Sequence, residues 1–342
     1  MSSSDYKYLY GPVPSRRLGR SLGIDLVPFK TCTYDCIYCQ LGRTTNKTME
    51  RRSYAPVKDI FDELKIKLAS GEAPDYISIA GSGEPTLHSY IGELIGMIKN
   101  MTNIPLAVLT NGSLLYLPEV RAALMRADLV IPSLDAGDEK MFQYVNRPHP
   151  DISFDNMADG LIEFTRDFPG QLWLEVLLIS GVTGMAADVE KIAILAQKIG
   201  ARKVQLNTVC RPAEEEFACA VGKNQMKNLA SLFTGAVDII SDEESADLSV
   251  TAAKDAAGEE IVSLLARRPC TLAGICSGLG LHPHDAAKKL KILADEKRIT
   301  TMRTEHDVFI RQRKKGNERI SDHQRQGRNG QNQRHGVFRR IG

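Results

Sequence analysis

The sequence predicts an α/β protein, built as a partial (β/α)6, TIM-like barrel with a C-terminal winged-helix domain. Short β-branched or apolar runs alternate with longer amphipathic stretches from residue 21 to about residue 210. Acidic segments follow ("AEEEFA", "SDEESAD"), and beyond them lie three helix candidates and one hairpin candidate. Six βα units indicate a parallel sheet, although an open sheet and a barrel-like one look alike at this level.

Each strand candidate is a short β-branched or apolar run. In order they are "SLGIDLVP", "YISIAG", "PLAVLTNG", "DLVIPSLD", "QLWLEVLLI" and "KVQLNTV". The helix candidates between them are "VKDIFDELKIKLAS", "YIGELIGMIKN", "PEVRAALMR", "FDNMADGLIEFTRD" and "AADVEKIAILAQKIG". In the first helix Val57, Ile60, Leu64 and Leu68 share one face, as helical periodicity requires. In such folds we expect the functional groups at the C-terminal ends of the strands.

The C-terminal region predicts a second, smaller unit. "AAGEEIVSLLARRP", "TLAGICSGLG" and "HPHDAAKKLKILADEKR" read as helices, and "ITTMRTEHDVFIRQR" reads as a two-stranded wing. Three helices and a hairpin make a winged helix-turn-helix. From Lys314 the chain has little to bury, which predicts disorder. The expected domains are a basic arm (1–20), the barrel (21–236), an acidic linker (237–252), the winged helix (253–311) and a basic disordered tail (312–342).

Length and composition are those of a globular protein with about two domains. The chain has 342 residues, of which 43% are hydrophobic and 25% charged. The opening "MSSSDYKYLY" lacks the basic start and apolar run of a signal peptide. No apolar stretch approaches the roughly 20 residues that cross a bilayer. We therefore expect a cytoplasmic protein without a membrane partner.

Three of the seven cysteines lie close together in "KTCTYDCIYCQLGRT". In a reducing cytosol a tight group such as Cys32, Cys36 and Cys39 indicates metal binding or catalysis more often than disulfides. Structural zinc takes four ligands, and no nearby His supplies a fourth. Ferredoxin-type clusters use four cysteines, commonly two residues apart. Three thiolates on a [4Fe–4S] cubane would leave one iron with an open position for chemistry.

This C-x3-C-x2-C loop after a first strand resembles the radical S-adenosylmethionine superfamily, over about 190 residues. Tyr38 matches the aromatic residue that the family usually places just before the last cysteine. The resemblance implies two cofactors, a [4Fe–4S] cluster on the three cysteines and S-adenosylmethionine chelated at the open iron. It further implies that the reduced cluster breaks a C–S bond and that a 5′-deoxyadenosyl radical takes hydrogen from a substrate. The protein supplies placement and exclusion of water.

The same resemblance nominates cofactor-binding residues after later strands. "GSGEP" resembles the family's glycine-rich segment, with Gly81 and Gly83 allowing close backbone approach and Glu84 accepting from an ammonium group. The other candidates are polar residues in or just after strands three to six: Thr110 and Asn111, Ser133 and Asp135, Glu175, and Asn207. Ser133 and Asp135 suit ribose hydroxyls, although Asp135 could instead cap a helix.

Substrate contacts are expected from two basic segments. Arg16, Arg17 and Arg20 precede the first strand, and Arg binds carboxylate or phosphate in bidentate fashion. The alternative is a docking face for an acidic electron donor. In "YVNRPHP", Arg147 and His149 are held by two prolines, which stiffen the loop. The alternative there is a solvated loop.

The N-terminal part through the cysteine loop resembles wyosine-type tRNA synthetase-like Fe–S oxidoreductases. No cysteine precedes Cys32, so the ligands of their second cluster are missing, as is a flavodoxin domain. The tRNA substrate is therefore not carried over. A low-potential electron donor of the flavodoxin or ferredoxin type is the expected partner.

The winged helix and tail suggest a nucleic-acid or protein substrate. From Arg311 onward ten Lys/Arg stand against two Asp/Glu, but residues 251–310 hold nine basic and eight acidic residues. That balance is a poor footprint for phosphate, and winged helices also dock proteins. The substrate is thus a tRNA base, a peptide or protein, or a small metabolite. The alternative function is an Fe–S redox-sensing nucleic-acid-binding regulator, in which the βα units and "GSGEP" have no role.

Overall fold

The computed structural model describes residues 6–71, 73–240, 258–267, 269–304 and 307–313. The strands of its main sheet are β1 (Leu9–Ser15), β2 (Gly19–Ile24), β5 (Tyr76–Ile79), β6 (Leu106–Thr110), β7 (Leu129–Pro132), β8 (Gln171–Leu178), β9 (Lys203–Thr208) and β10 (Val237–Ile239). They form one sheet in the order β1-β2-β5-β6-β7-β8-β9-β10. Only the β1–β2 pair is antiparallel within this sheet. Two short strands, β3 (Thr31–Cys32) and β4 (Asn46–Lys47), pair with each other.

Seven helices lie between the strands. They are α1 (Val57–Ala69), α2 (Ile91–Met101), α3 (Pro118–Leu124), α4 (Glu139–Val145), α5 (Phe154–Asp167), α6 (Ala186–Ile199) and α7 (Lys223–Ala230). Ser153 caps α5 by accepting from Asn156 N at 3.2 Å, and Gly200 ends α6 with φ +70°. All six predicted strands and all five predicted helices of this region form, which confirms an α/β fold with a mostly parallel sheet.

Alternation along β8 separates the two faces of the sheet. Leu172, Leu174, Val176 and Leu178 are buried in the main core with the helices, whereas Glu175 and its neighbours on the other face are only partly buried. A strand alternates its side chains by geometry, so this second face and the C-terminal strand ends remain for a site.

Both edges of the sheet extend past the predicted boundaries. β1 lies inside the predicted arm 1–20, for which no strand was predicted. An edge strand tolerates proline, and the pairing shifts register between Tyr10 and Val13. β10 lies inside the predicted linker 237–252 and pairs with β9, helped by a Lys203–Asp238 ion pair of 2.8 Å. The rest of that linker, from residue 241, lies outside the described residues.

The C-terminal elements are α8 (Gly258–Arg267), α9 (Leu272–Leu279), α10 (Pro283–Asp295) and the antiparallel pair β11 (Ile299–Arg303) and β12 (Val308–Gln312). They enclose a core of their own, against which Val13 of β1 packs. A winged-helix architecture for this unit stays a prediction. The predicted tail lies outside the described residues from 314 onward.

Across the described ranges, none of the helices combines the length and the apolar character that crossing a bilayer requires.

Candidate functional site

The cysteine loop follows β2, and backbone hydrogen bonds fix it against the end of α4. The amides of Asp35 and Ile37 donate to the carbonyls of Asn146 and Val145, each at 3.0 Å. The three cysteines of the loop are partly exposed and free. Their order on a short, backbone-anchored loop places three thiols at the C-terminal edge of the sheet.

A side-chain N–H donor faces each of the three sulfurs. The pairs are Asn111 Nδ2 to Cys32 Sγ at 3.6 Å, Asn146 Nδ2 to Cys36 Sγ at 3.6 Å, and Lys30 Nζ to Cys39 Sγ at 3.1 Å. Such donors orient sulfur ligands and tune the metal that they hold. Asn111 was a predicted site residue. Lys30 and Asn146 were missed, although Lys30 opens the cysteine segment and Asn146 adjoins the predicted Arg147.

Burial disfavours the thiolate form of two of the three cysteines. Burial raises the pKa of the Cys32 thiol to about 12, and the Glu84 carboxylate adds to the rise. Burial also raises the pKa of Cys36 well above its ordinary value, with further contributions from Cys32 and Asp135. A bound metal supplies the positive charge that holds such thiols as thiolates. The sulfur donor set therefore suits a metal that binds thiolates, as the irons of a [4Fe–4S] cluster do.

The arrangement of the thiols is compatible with a cluster. Within the described ranges, no three His, Cys, Asp or Glu side chains converge on a point where a single metal ion would sit. On a cubane each thiolate binds a different iron, so convergence on one point is not needed. Cys32, Cys36 and Cys39 are thus the residues that could hold a [4Fe–4S] cluster.

The "GSGEP" segment packs against the backbone of the cysteine loop. Lys30 N donates to Ser82 O at 2.8 Å, and Glu84 N donates to Thr31 O at 3.1 Å. A Cβ on Gly83 would overlap the Thr31 carbonyl oxygen, and a Cβ on Gly81 would overlap the Asp25 carboxylate. In this structure the two glycines therefore let one segment of the chain pack closely against another, Gly83 against Thr31 and Gly81 against Asp25.

Glu84 is buried and binds Thr110 and Asn111 at the C-terminal end of β6. Its carboxylate accepts from Thr86 Oγ1 and Thr110 Oγ1 at 2.6 Å and from Asn111 N at 2.8 Å. Burial raises the pKa of Glu84 in spite of these bonds. The carboxylate thus positions Asn111, whose side chain reaches Cys32 and also donates to Thr33 Oγ1 at 2.8 Å.

Asp135 is the centre of a second buried network. It accepts from the Tyr38 hydroxyl, from Asn146 Nδ2 at 2.9 Å and from Leu177 N at 3.1 Å. Burial raises the pKa of Asp135 to about 6, against the lowering effect of these bonds. Because Asn146 also contacts Cys36, this network joins the cysteine loop to the ends of β7 and β8.

A third network crosses the open face of the sheet. The two terminal guanidinium nitrogens of Arg17 donate to Glu175, Nη1 at 2.8 Å, and Asn207 Nδ2 donates to the same carboxylate at 2.9 Å. Burial alone would raise the pKa of Glu175, but Arg17 and Asn207 hold it below its ordinary value. Ser133 lies beside Glu175 as an isolated parallel bridge. Arg17 is therefore paired with Glu175 here, where the sequence suggested the carboxylate of S-adenosylmethionine or a substrate phosphate as its partner.

Gln205 adds a polar group that the sequence did not single out. It is the register partner of Glu175 on β9 and is 2% exposed. Its Oε1 has no hydrogen-bond partner in the part of the chain that the structure describes. A buried acceptor of this kind gains from a ligand that brings an N–H or O–H group.

The remaining predicted contacts lie beside these networks. Arg147 pairs with Glu215 at 2.6 Å, and His149 Nδ1 lies 3.5 Å from an Asp151 carboxylate oxygen. Arg16 is close enough to Glu175 to help lower the pKa of that carboxyl. The contacts of Arg147 and His149 fix the segment that flanks the cysteine loop. Their predicted role toward a substrate stays a prediction.

Comparison of the sequence with known proteins assigns the chain to a family. Residues 26–195 match the model of the radical SAM superfamily. The UPF0026 protein of Methanocaldococcus jannaschii is 34% identical over 274 residues, which cover 75% of this chain and 85% of that protein. The chain belongs to the radical S-adenosylmethionine superfamily, in the UPF0026 family. The superfamily uses a [4Fe–4S] cluster and S-adenosylmethionine, which are thus the cofactors of this chain. Membership does not favour the regulator alternative, and it leaves the wyosine-like subgroup a prediction.

Two further similarities concern longer or more distant proteins. A protein named GTPase Obg from Brachyspira hyodysenteriae is 40% identical over 294 residues, 86% of this chain but only 43% of that protein. The chain thus spans less than half the length of that relative. A radical SAM methyltransferase from Sphaerobacter thermophilus superposes with a TM-score of 0.48 at 16% identity, covering 64% of this chain and 65% of that one.

Proposed function

We propose that this protein is a radical S-adenosylmethionine enzyme whose [4Fe–4S] cluster is held by Cys32, Cys36 and Cys39. The observation that carries the proposal is the loop of three thiols, each with its own N–H donor. When bound, the cluster cleaves S-adenosylmethionine reductively and so supplies a 5′-deoxyadenosyl radical for hydrogen abstraction. The chain's own residues fix the sulfurs and shape the surrounding site.

The Glu84 and Asp135 networks suggest roles for the side chains beside the cysteines. Glu84 locks Asn111 next to Cys32, and Asp135 locks Tyr38 and Asn146 next to Cys36. These bonds hold the polar groups in fixed positions, as binding of a cofactor in one orientation requires. Asp135, with Ser133 nearby, is proposed to face the ribose hydroxyls.

The substrate is proposed to bind over the Glu175 side of the sheet. Arg17, Glu175 and Asn207 form one charged and polar group there, and Gln205 offers an acceptor without a donor. A tRNA base, a peptide or protein, and a small metabolite all remain candidates. The C-terminal helices and hairpin are proposed to be a winged helix that presents the substrate, and a flavodoxin or ferredoxin is proposed as the electron donor.

The test is cluster assembly followed by cofactor cleavage. Anaerobically reconstituted protein should bind about four irons per chain, and on reduction it should form 5′-deoxyadenosine from S-adenosylmethionine. Cys32→Ala, Cys36→Ala and Cys39→Ala should each abolish this product. Cys219→Ala is the matched control, because Cys219 is exposed and outside the loop. A four-iron protein that never cleaves the cofactor would contradict the proposal.

The substrate can be found through the fate of the abstracted hydrogen. Deuterium should appear in 5′-deoxyadenosine when the true substrate is supplied in deuterated form. Pools of deuterated RNA, peptides and metabolites tested in parallel would assign the class. Transfer from the peptide pool alone would exclude the nucleic-acid proposal, and the converse result would exclude the peptide.

A further inference from the structure

Lys30 is a buried cation that contacts a cysteine of the loop. Its side chain is 3% exposed, and its ammonium group lies 3.1 Å from Cys39 Sγ. Lysine is almost never fully buried unless it is paired. In the described part of the chain, no carboxylate lies within ion-pair distance of this ammonium group. The partner that the fold offers is the sulfur of Cys39.

The backbone around Lys30 fixes this orientation. Lys30 has φ +60°, a left-handed conformation that is uncommon for residues other than glycine. It is held on both sides, because Lys30 N donates to Ser82 O at 2.8 Å and Asn46 N donates to Lys30 O at 3.1 Å. Surroundings that over-determine an unfavourable backbone conformation often mark a functional constraint. Here the constrained residue is the one that directs a positive charge at Cys39.

The other two sulfurs receive a different kind of donor. Cys32 and Cys36 face the neutral amides of Asn111 and Asn146, both at 3.6 Å. Lys30 is closer to its sulfur and carries a full charge, and charge-assisted hydrogen bonds are shorter and stronger than neutral ones. The three ligands are thus electrostatically unequal: the cation contacts the Cys39 sulfur directly and acts at longer range on the Cys32 thiol.

We propose that Lys30 is a positioning residue that makes the cluster easier to reduce, through its charge on the Cys39 sulfur. The inference rests on the proposed function, namely that the three cysteines hold a [4Fe–4S] cluster. One electron from a low-potential donor makes that cluster one unit more negative. A buried cation beside a ligand stabilises the more negative state, and cluster charge and hydrogen bonds to sulfur are what set the reduction potential. Lys30 thereby favours the redox state that cleavage of S-adenosylmethionine requires.

The test is redox potentiometry of the reconstituted full-length protein without S-adenosylmethionine, using titanium(III) citrate as reductant and electron paramagnetic resonance as readout. Lys30→Met should disfavour reduction at least tenfold, which is a shift of about 59 mV to more negative potential for one electron. Lys30→Gln keeps a neutral donor and should shift in the same direction. Lys30→Arg keeps the charge and should stay near the wild-type potential.

A matched control and the iron content separate the outcomes. Lys65→Met removes the same charge on α1, where the ammonium group pairs with Asp62 at 2.6 Å, and should leave the potential unchanged. If Lys30→Met keeps its four irons and the wild-type potential, the inference is overturned while the proposed function stands. Loss of the cluster from all three Lys30 variants would also overturn it, because the lysine would then serve folding. Failure of the wild type to bind iron would overturn the proposed function itself.

Discussion

Gly83→Ala should separate the "GSGEP" segment from the cysteine loop. The new Cβ would overlap the Thr31 carbonyl oxygen and lie 2.9 Å from Val27 Cγ2. Overpacking against backbone costs about 1–3 kcal/mol, and loss of the Glu84 N to Thr31 O bond adds about 1 kcal/mol. The free energy of unfolding should therefore fall by roughly 2–4 kcal/mol.

Urea denaturation of the metal-free protein measures this loss, and iron per chain after reconstitution measures its effect on the site. We expect iron binding to fall as well, because Thr31 adjoins Cys32. Gly222→Ala is the control. Gly222 is the N-cap of α7, a Cβ there meets nothing within 4 Å, and the change should cost at most about 1 kcal/mol. A Gly83→Ala protein with wild-type stability and full iron would refute the close-approach reasoning.

Three further predictions follow from the buried networks. Arg17→Met leaves Glu175 buried without its partner and should lower the free energy of unfolding by about 3–5 kcal/mol. The double variant Arg17→Met/Glu175→Gln should recover part of this loss. Urea denaturation measures both. In the metal-free protein, the free energy of unfolding should fall by up to roughly 3 kcal/mol as pH rises from about 4 to about 6. The reason is that the folded state keeps a proton on Asp135 that the unfolded state has released. Asp135→Asn should flatten this pH dependence, measured by urea titration at each pH. Asn146→Ala should weaken iron binding about 10–100-fold in chelator competition, because it removes the donor to Cys36.

Each of these three predictions has an outcome that would contradict it. Equal stability of the Arg17→Met and double variants would show that the ion pair is not coupled. A wild-type slope between pH 4 and 6 that survives in Asp135→Asn would place the titration elsewhere. Unchanged iron affinity in Asn146→Ala would show that the hydrogen bond to Cys36 does not support the cluster; Asn156→Ala, at an exposed position of α5, is the control.

The sheet and its helices could be predicted because hydrophobic periodicity is a local property. β1 could not, since its glycine and prolines are typical of loops and only its edge position tolerates them. α4 was also missed. It is a seven-residue helix whose start is fixed by Asp138 accepting from Met141 N at 2.8 Å, and so short a segment carries little periodic signal.

The candidate site divides in the same way. Cys32, Cys36 and Cys39 could be predicted because all three lie within one short loop, so their spacing is visible in the sequence. Their donors depend on tertiary contacts, and Asn146 stands 110 positions from Cys36 in the chain. The partner of Arg17 is 158 positions away. Sequence reasoning named both Arg17 and Glu175, but only the fold shows that they bind each other.

Electron–nuclear double resonance on the reduced cluster shows whether the three cysteines leave one iron open to S-adenosylmethionine. With ¹⁵N in the amino group and ¹⁷O in the carboxylate of the cofactor, we expect hyperfine coupling of both nuclei to the cluster. A protein that carries four irons per chain and shows neither coupling would contradict it.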